Sequence, residues 1–233
     1  MDRRQELAEN LAEARARIAG ACAAASRDPG EVTLVAVTKT WPASDVVLLA
    51  GLGVTEVGEN RDQEAAPKAV EVAAAGASVR WHFVGQLQRN KCNSVARYAS
   101  TVHSVDGVRL AAALDRGAAH ADRTLEVLVQ VSIDRDAARG GAVEGVADDH
   151  GLGPVLEAVA AADRLVLRGL MAIAPLEWEA SRAFATLAEI RARVLVDHPD
   201  ATDLSAGMSG DVEEAINYGA THVRMGTALL GNR

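Results

Sequence analysis

Residues 32–53, VTLVAVTKTWPASDVVLLAGLG, contain the unit from which we predict the fold. The first six residues are aliphatic or β-branched, as in a buried strand of a parallel sheet. Lys39 and the pair Trp41–Pro42 follow, and residues 44–53 then have the apolar spacing of a helix that ends at a glycine. The stretch therefore predicts a strand, a short loop and a helix, with one amino group at the downstream end of the strand.

The same unit recurs along the chain. We predict eight strands, at 32–37, 54–58, 79–85, 100–105, 125–133, 165–173, 201–207 and 221–226. Their alternation with helical segments indicates a parallel sheet, because parallel neighbours need a long crossover. Eight such units favour an α/β fold, a (β/α)8 TIM barrel, over an open doubly wound sheet. We also expect an extra N-terminal amphipathic helix, a mobile loop at 134–151, and one domain spanning residues 1–233.

The composition excludes several classes of protein. Hydrophobic residues make up 49% of the chain and charged residues 24%, as in soluble globular proteins. A net charge of -8 without a Lys/Arg cluster argues against nucleic acid or an anionic membrane as partner. No apolar stretch approaches the roughly 20 residues needed to span a bilayer. Cys22 and Cys92 form no spaced motif, so we expect no disulfide framework, no metal site and a cytoplasmic protein.

Polar residues occur at the downstream ends of the predicted strands, where such barrels carry their active sites. Lys39 follows the first strand, and Asn60 ends a GEN tripeptide after the second. Residues 205–209 follow the seventh strand, and residues 224–227 end the eighth. Barrel closure makes the eighth strand the neighbour of the first, so Lys39 and residues 224–227 should face one pocket.

The segments SAGMSGD (205–211) and GT (226–227) have the small residues and hydroxyl groups of an anion site. Free backbone N–H groups at a helix start favour an anion, and glycine permits its close approach. A phosphate site beside a lysine suggests a ligand that carries both a phosphate and an aldehyde, such as pyridoxal 5'-phosphate (PLP). From these residues alone, a barrel that binds a sugar phosphate is an equally good interpretation.

The order of motifs along the chain carries a resemblance to a known family. The motifs are VAVTKTWP (35–42), GENRDQEAAPK (58–68), WHFVGQLQRNKCNSV (81–95), VHSVD (102–106), GLMAIAP (169–175) and LSAGMSGDVEEAINYGATHVRMGTALLG (204–231). Together they resemble the pyridoxal phosphate homeostasis proteins. The resemblance implies PLP as cofactor, a role in vitamin B6 homeostasis, and the barrel of an alanine-racemase-like enzyme without its C-terminal β-domain.

The resemblance also implies which residues bind the cofactor. They are Lys39, Asn60, His82, Ser205, Met208, Ser209, Arg224, Gly226 and Thr227. Lys39 corresponds to the lysine that forms the Schiff base, and Arg224 to the residue that faces the pyridine nitrogen. Asn60 and His82 would line the pocket; the alternative for His82 is a hydrogen-bonded histidine of the barrel core. Ser205 could instead cap the end of its strand.

The phosphate ligands follow from the same correspondence. Ser209, Gly226 and Thr227 match the residues that hold the phosphate in the family, and Met208 would add its backbone N–H.

The resemblance further implies binding without turnover. A guanidinium only donates hydrogen bonds, so Arg224 would leave the ring nitrogen unprotonated and the cofactor a weaker electron sink. Racemases add a tyrosine as second base, and we predict that Tyr98 and Tyr218 lie in helices, where neither can serve. We therefore predict a non-catalytic protein, not an enzyme, that stores and delivers PLP as a monomer, with PLP-dependent apo-enzymes as candidate partners. The alternatives are an amino-acid racemase or decarboxylase, and a scaffold that binds a PLP enzyme or a cell-division protein.

Overall fold

Eight parallel strands close into a barrel in the computed structural model, which describes residues 2–136 and 139–231. The strands are β1 (Thr33–Val37), β2 (Glu56–Glu59), β3 (Arg80–Phe83), β4 (Thr101–Val105), β5 (Leu125–Gln130), β6 (Leu165–Met171), β7 (Asp203–Ser205) and β8 (His222–Met225). Each strand pairs with the next along the chain, and β8 pairs with β1, with Ala36 opposite Met225. The predicted TIM barrel is confirmed, and each strand overlaps its predicted range.

Helices surround the strands in the described part of the chain. They are α1 (Arg3–Ala24), α2 (Ala43–Gly51), α3 (Asp62–Ala74), α4 (Cys92–Tyr98), α5 (Val108–His120), α6 (Leu152–Ala160), α7 (Ala180–Asp197), α8 (Val212–Asn217) and α9 (Thr227–Leu230). Short 3-10 helices cover Pro29–Glu31 and Arg89–Lys91. Gly53 and Gly219 follow α2 and α8 with φ of +82° and +90°, a left-handed conformation that glycine adopts without strain. None of the described helices combines the length and apolarity needed to cross a membrane.

The N-terminal helix α1, predicted as amphipathic, packs its apolar stripe against the last two helices. Leu7 and Ile18 are buried on this stripe, and α1 contacts both α8 and α9. Arg17 forms two hydrogen bonds with the Glu213 carboxylate, of 2.7 and 2.9 Å. A third hydrogen bond joins Arg17 to the Ser209 carbonyl oxygen (3.0 Å). Helix α1 therefore holds the loop between β7 and α8 against the rest of the fold.

Two isolated β-bridges order the polar stretch after β5, and the first of them joins it to the end of that strand. Val131 pairs with Ala142, and Val143 pairs with Gly151. Residues 137–138 of the predicted mobile loop lie outside the described residues. The bridges place the remainder of this segment beside the carboxyl end of β5.

Candidate functional site

A cavity of about 530 Å3 opens at the carboxyl ends of the strands. Seven of the predicted binding residues line it, namely Lys39, Asn60, Met208, Ser209, Arg224, Gly226 and Thr227. His82 and Ser205 do not line this cavity. The pairing of β1 with β8 places Val35 opposite Arg224. Lys39 and Arg224, far apart in sequence, therefore reach the same cavity.

A tight turn that α3 holds in place presents Lys39 to the cavity. Thr40 has a φ of +67°, which is unfavourable for a β-branched residue. Two contacts from α3 hold this turn: the Thr40 N–H donates to Glu64 Oε2 (3.1 Å), and Lys68 Nζ donates to the Thr38 carbonyl oxygen (2.9 Å). Lys39 is exposed, and no described residue forms an ion pair with its amine. The amine can therefore meet a ligand without first breaking a salt bridge.

A buried polar cluster lies behind this turn. Glu59 Oε1 accepts hydrogen bonds from Lys68 Nζ and from Thr38 Oγ1, both of 2.6 Å. Burial raises the pKa of Glu59 above its usual range, although the bonds from Lys68 and Thr38 oppose the shift. The sequence interpretation missed this pair, because a lysine in a polar helix is usually a solvated side chain.

A second wall of the cavity consists of small and hydroxyl-bearing residues. Ser209 and residues 226–227 come from the loop after β7 and the end of β8. Ser209 Oγ accepts the Ala228 N–H (3.3 Å), which joins the two segments. The Met208 N–H, predicted to bind an anion, donates instead to Asp211 Oδ1. In this structure the wall therefore offers hydroxyl groups and glycine backbone, while the Met208 N–H is already satisfied.

Arg224 supplies the buried positive charge of the cavity. Its side chain is nearly enclosed, with Nη1 donating to Ser205 Oγ (2.7 Å) and Nη2 donating to the Ala172 carbonyl oxygen (2.9 Å). Burial lowers the pKa of Arg224 to about 10, so the guanidinium remains charged at neutral pH. Two of its five N–H donors are used in this way, and others are left for a ligand.

His82 lies inside the barrel and not in the lining of the cavity. Its ring is 2% exposed; Nε2 is 2.6 Å from Glu56 Oε2, and Nδ1 is 2.7 Å from His103 Nε2. Because Glu56 is the first residue of β2, the His82 ring is directed toward the amino ends of the strands. The interpretation of His82 as a pocket residue is therefore corrected: it is a hydrogen-bonded histidine of the barrel interior.

Comparison with known proteins assigns the chain to a family. The profile of the alanine racemase N-terminal domain matches residues 4–233. The pyridoxal phosphate homeostasis protein of Mycobacterium leprae is 46% identical, over 99% of this chain and 94% of its own length. The chain belongs to the pyridoxal phosphate homeostasis protein family. The resemblance stated from the sequence motifs is therefore confirmed.

Solved structures agree with this family. PipY of Synechococcus elongatus, a structure described as having PLP bound, has a TM-score of 0.81 and 34% identity, over 97% of this chain and all (100%) of that one. Alanine racemase of Corynebacterium glutamicum has a TM-score of 0.70 at 17% identity, over 99% of this chain and 61% of that one. The second likeness shows that this chain shares the racemase barrel fold.

The cavity has further lining residues that the sequence interpretation did not single out. They are Val37, Val84, Gly85, Asp106, Gln130, Arg139, Ile173 and Gly210. Gly85 packs directly against the backbone of Asn60. A Cβ atom added at Gly85 would be 2.2 Å from the Asn60 carbonyl oxygen. Asn60 Oδ1 is buried and has no hydrogen-bond partner among the described residues. A glycine at the end of a predicted strand was the one sequence signal for this close approach.

Proposed function

We propose that this protein binds PLP in the cavity at the carboxyl ends of the strands, and that it stores and delivers the cofactor without catalysing a reaction. One observation carries the proposal. The exposed amine of Lys39, the Ser209 and Thr227 wall and the Arg224 guanidinium line a single cavity of about 530 Å3. The names of the homologues and the PLP-bound PipY structure support the choice of ligand.

The lining fits the chemical groups of PLP. When bound, PLP supplies an aldehyde that condenses with amines and a ring that withdraws electrons. Lys39 Nζ would bond to the aldehyde carbon as C=N, with release of one water molecule. Ser209, Thr227 and Gly226 would hold the phosphate, because hydroxyl groups donate to it and a glycine lets it approach the backbone. Arg224 would donate to the ring nitrogen.

The same residues support binding without turnover. Arg224 donates and does not protonate the ring nitrogen, so it stabilises charge on the substrate carbon poorly. Tyr98 packs edge-on against Trp81, and burial raises the pKa of its hydroxyl far above the usual range. Neither Tyr98 nor Tyr218 is among the described residues that line the cavity. Asp106 lines it, but its Oδ2 accepts the Gly141 N–H (3.3 Å).

Absorbance and covalent trapping test the binding site. The wild-type protein with PLP should absorb near about 420 nm, a property of the cofactor bonded to a lysine. Borohydride reduction should then fix the label on the peptide that carries Lys39. Lys39→Ala should lose both signals, whereas Lys91→Ala, a partly exposed lysine outside this cavity, should keep them. A retained signal in Lys39→Ala would refute the assignment of Lys39.

A second experiment tests storage and delivery against catalysis. The loaded protein is incubated in deuterated buffer with each common L-amino acid, and exchange of the α-proton is followed by NMR. We expect no sustained exchange, together with transfer of PLP to an added apo-enzyme. Steady exchange or racemisation would favour the enzyme alternative and would contradict the non-catalytic role.

A further inference from the structure

A line of hydrogen bonds runs through the barrel interior from its amino end to the cavity. Glu56 Oε2 is 2.6 Å from His82 Nε2, and His82 Nδ1 is 2.7 Å from His103 Nε2. His103 Nδ1 is 2.9 Å from Ser205 Oγ, which accepts from Arg224 Nη1 (2.7 Å). This series of hydrogen bonds therefore joins the Glu56 carboxylate, at the first position of β2, to the Arg224 guanidinium that lines the cavity.

When both histidine rings are neutral, the Glu56 carboxylate fixes the direction of every bond. Arg224 can only donate, so Ser205 Oγ accepts from it and its O–H is available for His103 Nδ1. With Nδ1 accepting, neutral His103 carries its proton on Nε2 and donates to His82 Nδ1. His82 then carries its own proton on Nε2 and donates to Glu56, which as a carboxylate only accepts. In this order each neutral ring is protonated at Nε2, and Ser205 Oγ is free to accept from Arg224.

The surroundings keep the His103 ring neutral. His103 is fully enclosed; burial lowers its pKa well below the usual range, and neighbouring His82, Arg224 and His222 act in the same direction. Protonation of His103 would turn its Nδ1 into a donor and leave the serine O–H without an acceptor.

Other charged groups lie near Glu56, at the end of the hydrogen-bond series away from the cavity. Arg80 pairs with Glu56 and with Glu126, and His222 lies near the Asp203 carboxylate. The His222 ring packs 6.2 Å from both His82 and His103, measured between centroids. Arg80, Glu126 and Asp203 lie near the amino ends of their strands, away from the cavity. Arg80 therefore holds Glu56 in place without interrupting the order of donors.

We propose that His82, His103 and Ser205 are positioning residues that lock Arg224 as a donor aimed at the ligand in the cavity. The proposal rests on the proposed function, since the ligand is PLP. With its hydroxyl proton directed at His103, Ser205 Oγ keeps its lone pairs for the Arg224 guanidinium. The order of protons in the barrel interior thus determines how Arg224 meets the ring nitrogen.

The test measures the protonation of the two histidines and the binding of PLP separately. Nitrogen NMR of the cofactor-free protein at neutral pH should show His82 and His103 neutral and protonated at Nε2. Glu56→Gln replaces an obligate acceptor by an amide that also donates, so a population protonated at Nδ1 should appear. In the same variant the dissociation constant for PLP should rise about two- to ten-fold, the effect of one disturbed hydrogen bond. The matched control, Glu126→Gln, also loses a partner of Arg80 but does not contact His82.

Each result decides a separate point. An Nδ1-protonated or charged ring in the wild type would overturn the proposal, as would unchanged spectra in Glu56→Gln or an equal response in Glu126→Gln. A tautomer change with an unchanged dissociation constant would contradict the positioning of Arg224. If the wild type does not bind PLP, the proposed function fails, while the spectra still decide whether the ordered chain exists.

Discussion

Lys68 Nζ lies 2.6 Å from Glu59 Oε1 and 2.9 Å from the carbonyl oxygen of Thr38, directly before Lys39 in the sequence. Glu59 has no exposed surface and Lys68 is 7% exposed. The pair therefore joins α3, β2 and the turn after β1 in a region from which water is largely excluded. Its role is to hold the Lys39 turn, with its left-handed Thr40, in one conformation.

Replacing Lys68 should be strongly destabilising. Lys68→Met keeps the volume but leaves Glu59 as an uncompensated buried charge, a loss of about 3–5 kcal/mol in the free energy of unfolding. Urea denaturation at neutral pH measures the effect. The control is Arg164→Met, since Arg164 is 3.3 Å from the exposed Asp122, and such a surface pair contributes about 0–1 kcal/mol. Equal effects in the two variants would contradict the role of the buried pair.

The loss in Lys68→Met should shrink in acid. The pKa of Glu59 is raised by burial in the folded protein, so the folded state binds this proton more readily than the unfolded state does. Without Lys68 the pKa rises further, and protonation on acidification removes the buried charge. The difference in free energy of unfolding from wild type should therefore fall between neutral pH and about pH 5. A constant or growing difference would show that Glu59 is not the group responsible.

Gly85→Ala should distort the cavity. A Cβ atom at this position would lie 2.2 Å from the carbonyl oxygen of Asn60, so one of the two segments must move. We expect PLP binding to weaken at least about ten-fold, because a displaced Asn60 removes a lining residue from the site. Gly210→Ala is the control, since Gly210 also lines the cavity but its added Cβ meets no atom within 4 Å. Titration of the cofactor absorbance compares the two variants, and equal affinities would refute this reasoning.

The barrel and its closure could be predicted from the sequence because the signals are local and repeated. Each strand is a short β-branched run and each helix has apolar periodicity, so the order of strands follows from the chain itself. Closure then predicts that β8 lies beside β1, and this brings Lys39 and Arg224 to one cavity. Several polar residues of the cavity could be predicted too, because they closely follow the predicted strands.

The height of a side chain within the barrel could not be predicted, because it depends on the tilt and stagger of the strands. His82 is one residue from the carboxyl end of β3, yet its ring points to Glu56 at the other end of the barrel. The sequence also cannot show which of two acceptors takes a given N–H group. The Met208 N–H, predicted to bind an anion, donates to Asp211 Oδ1. The burial of Lys68 likewise depends on tertiary packing.

Leu7→Ala should test whether α1 is part of the folded core. Leu7 is fully buried against the barrel helices, and removing its side chain should cost about 2–5 kcal/mol in the free energy of unfolding. Val70→Ala is the control, since Val70 on α3 is 70% exposed and its truncation should have little effect. Urea denaturation of both variants measures the difference. A small effect of Leu7→Ala would mean that α1 unfolds separately from the barrel.

Arg224 should be required for its geometry as well as for its charge. Arg224→Gln removes the charge, and Arg224→Lys keeps it but cannot serve Ser205, Ala172 and a ligand at once. Charge-assisted hydrogen bonds contribute about 1.5–3 kcal/mol, so both variants should bind PLP at least about ten-fold more weakly. The control is Arg168→Gln, a half-exposed arginine on β6 whose ion pairs with Glu126 and Asp203 are 3.6 Å long. Full affinity in Arg224→Lys would show that charge alone is sufficient and that the fixed direction of the guanidinium has no part in binding.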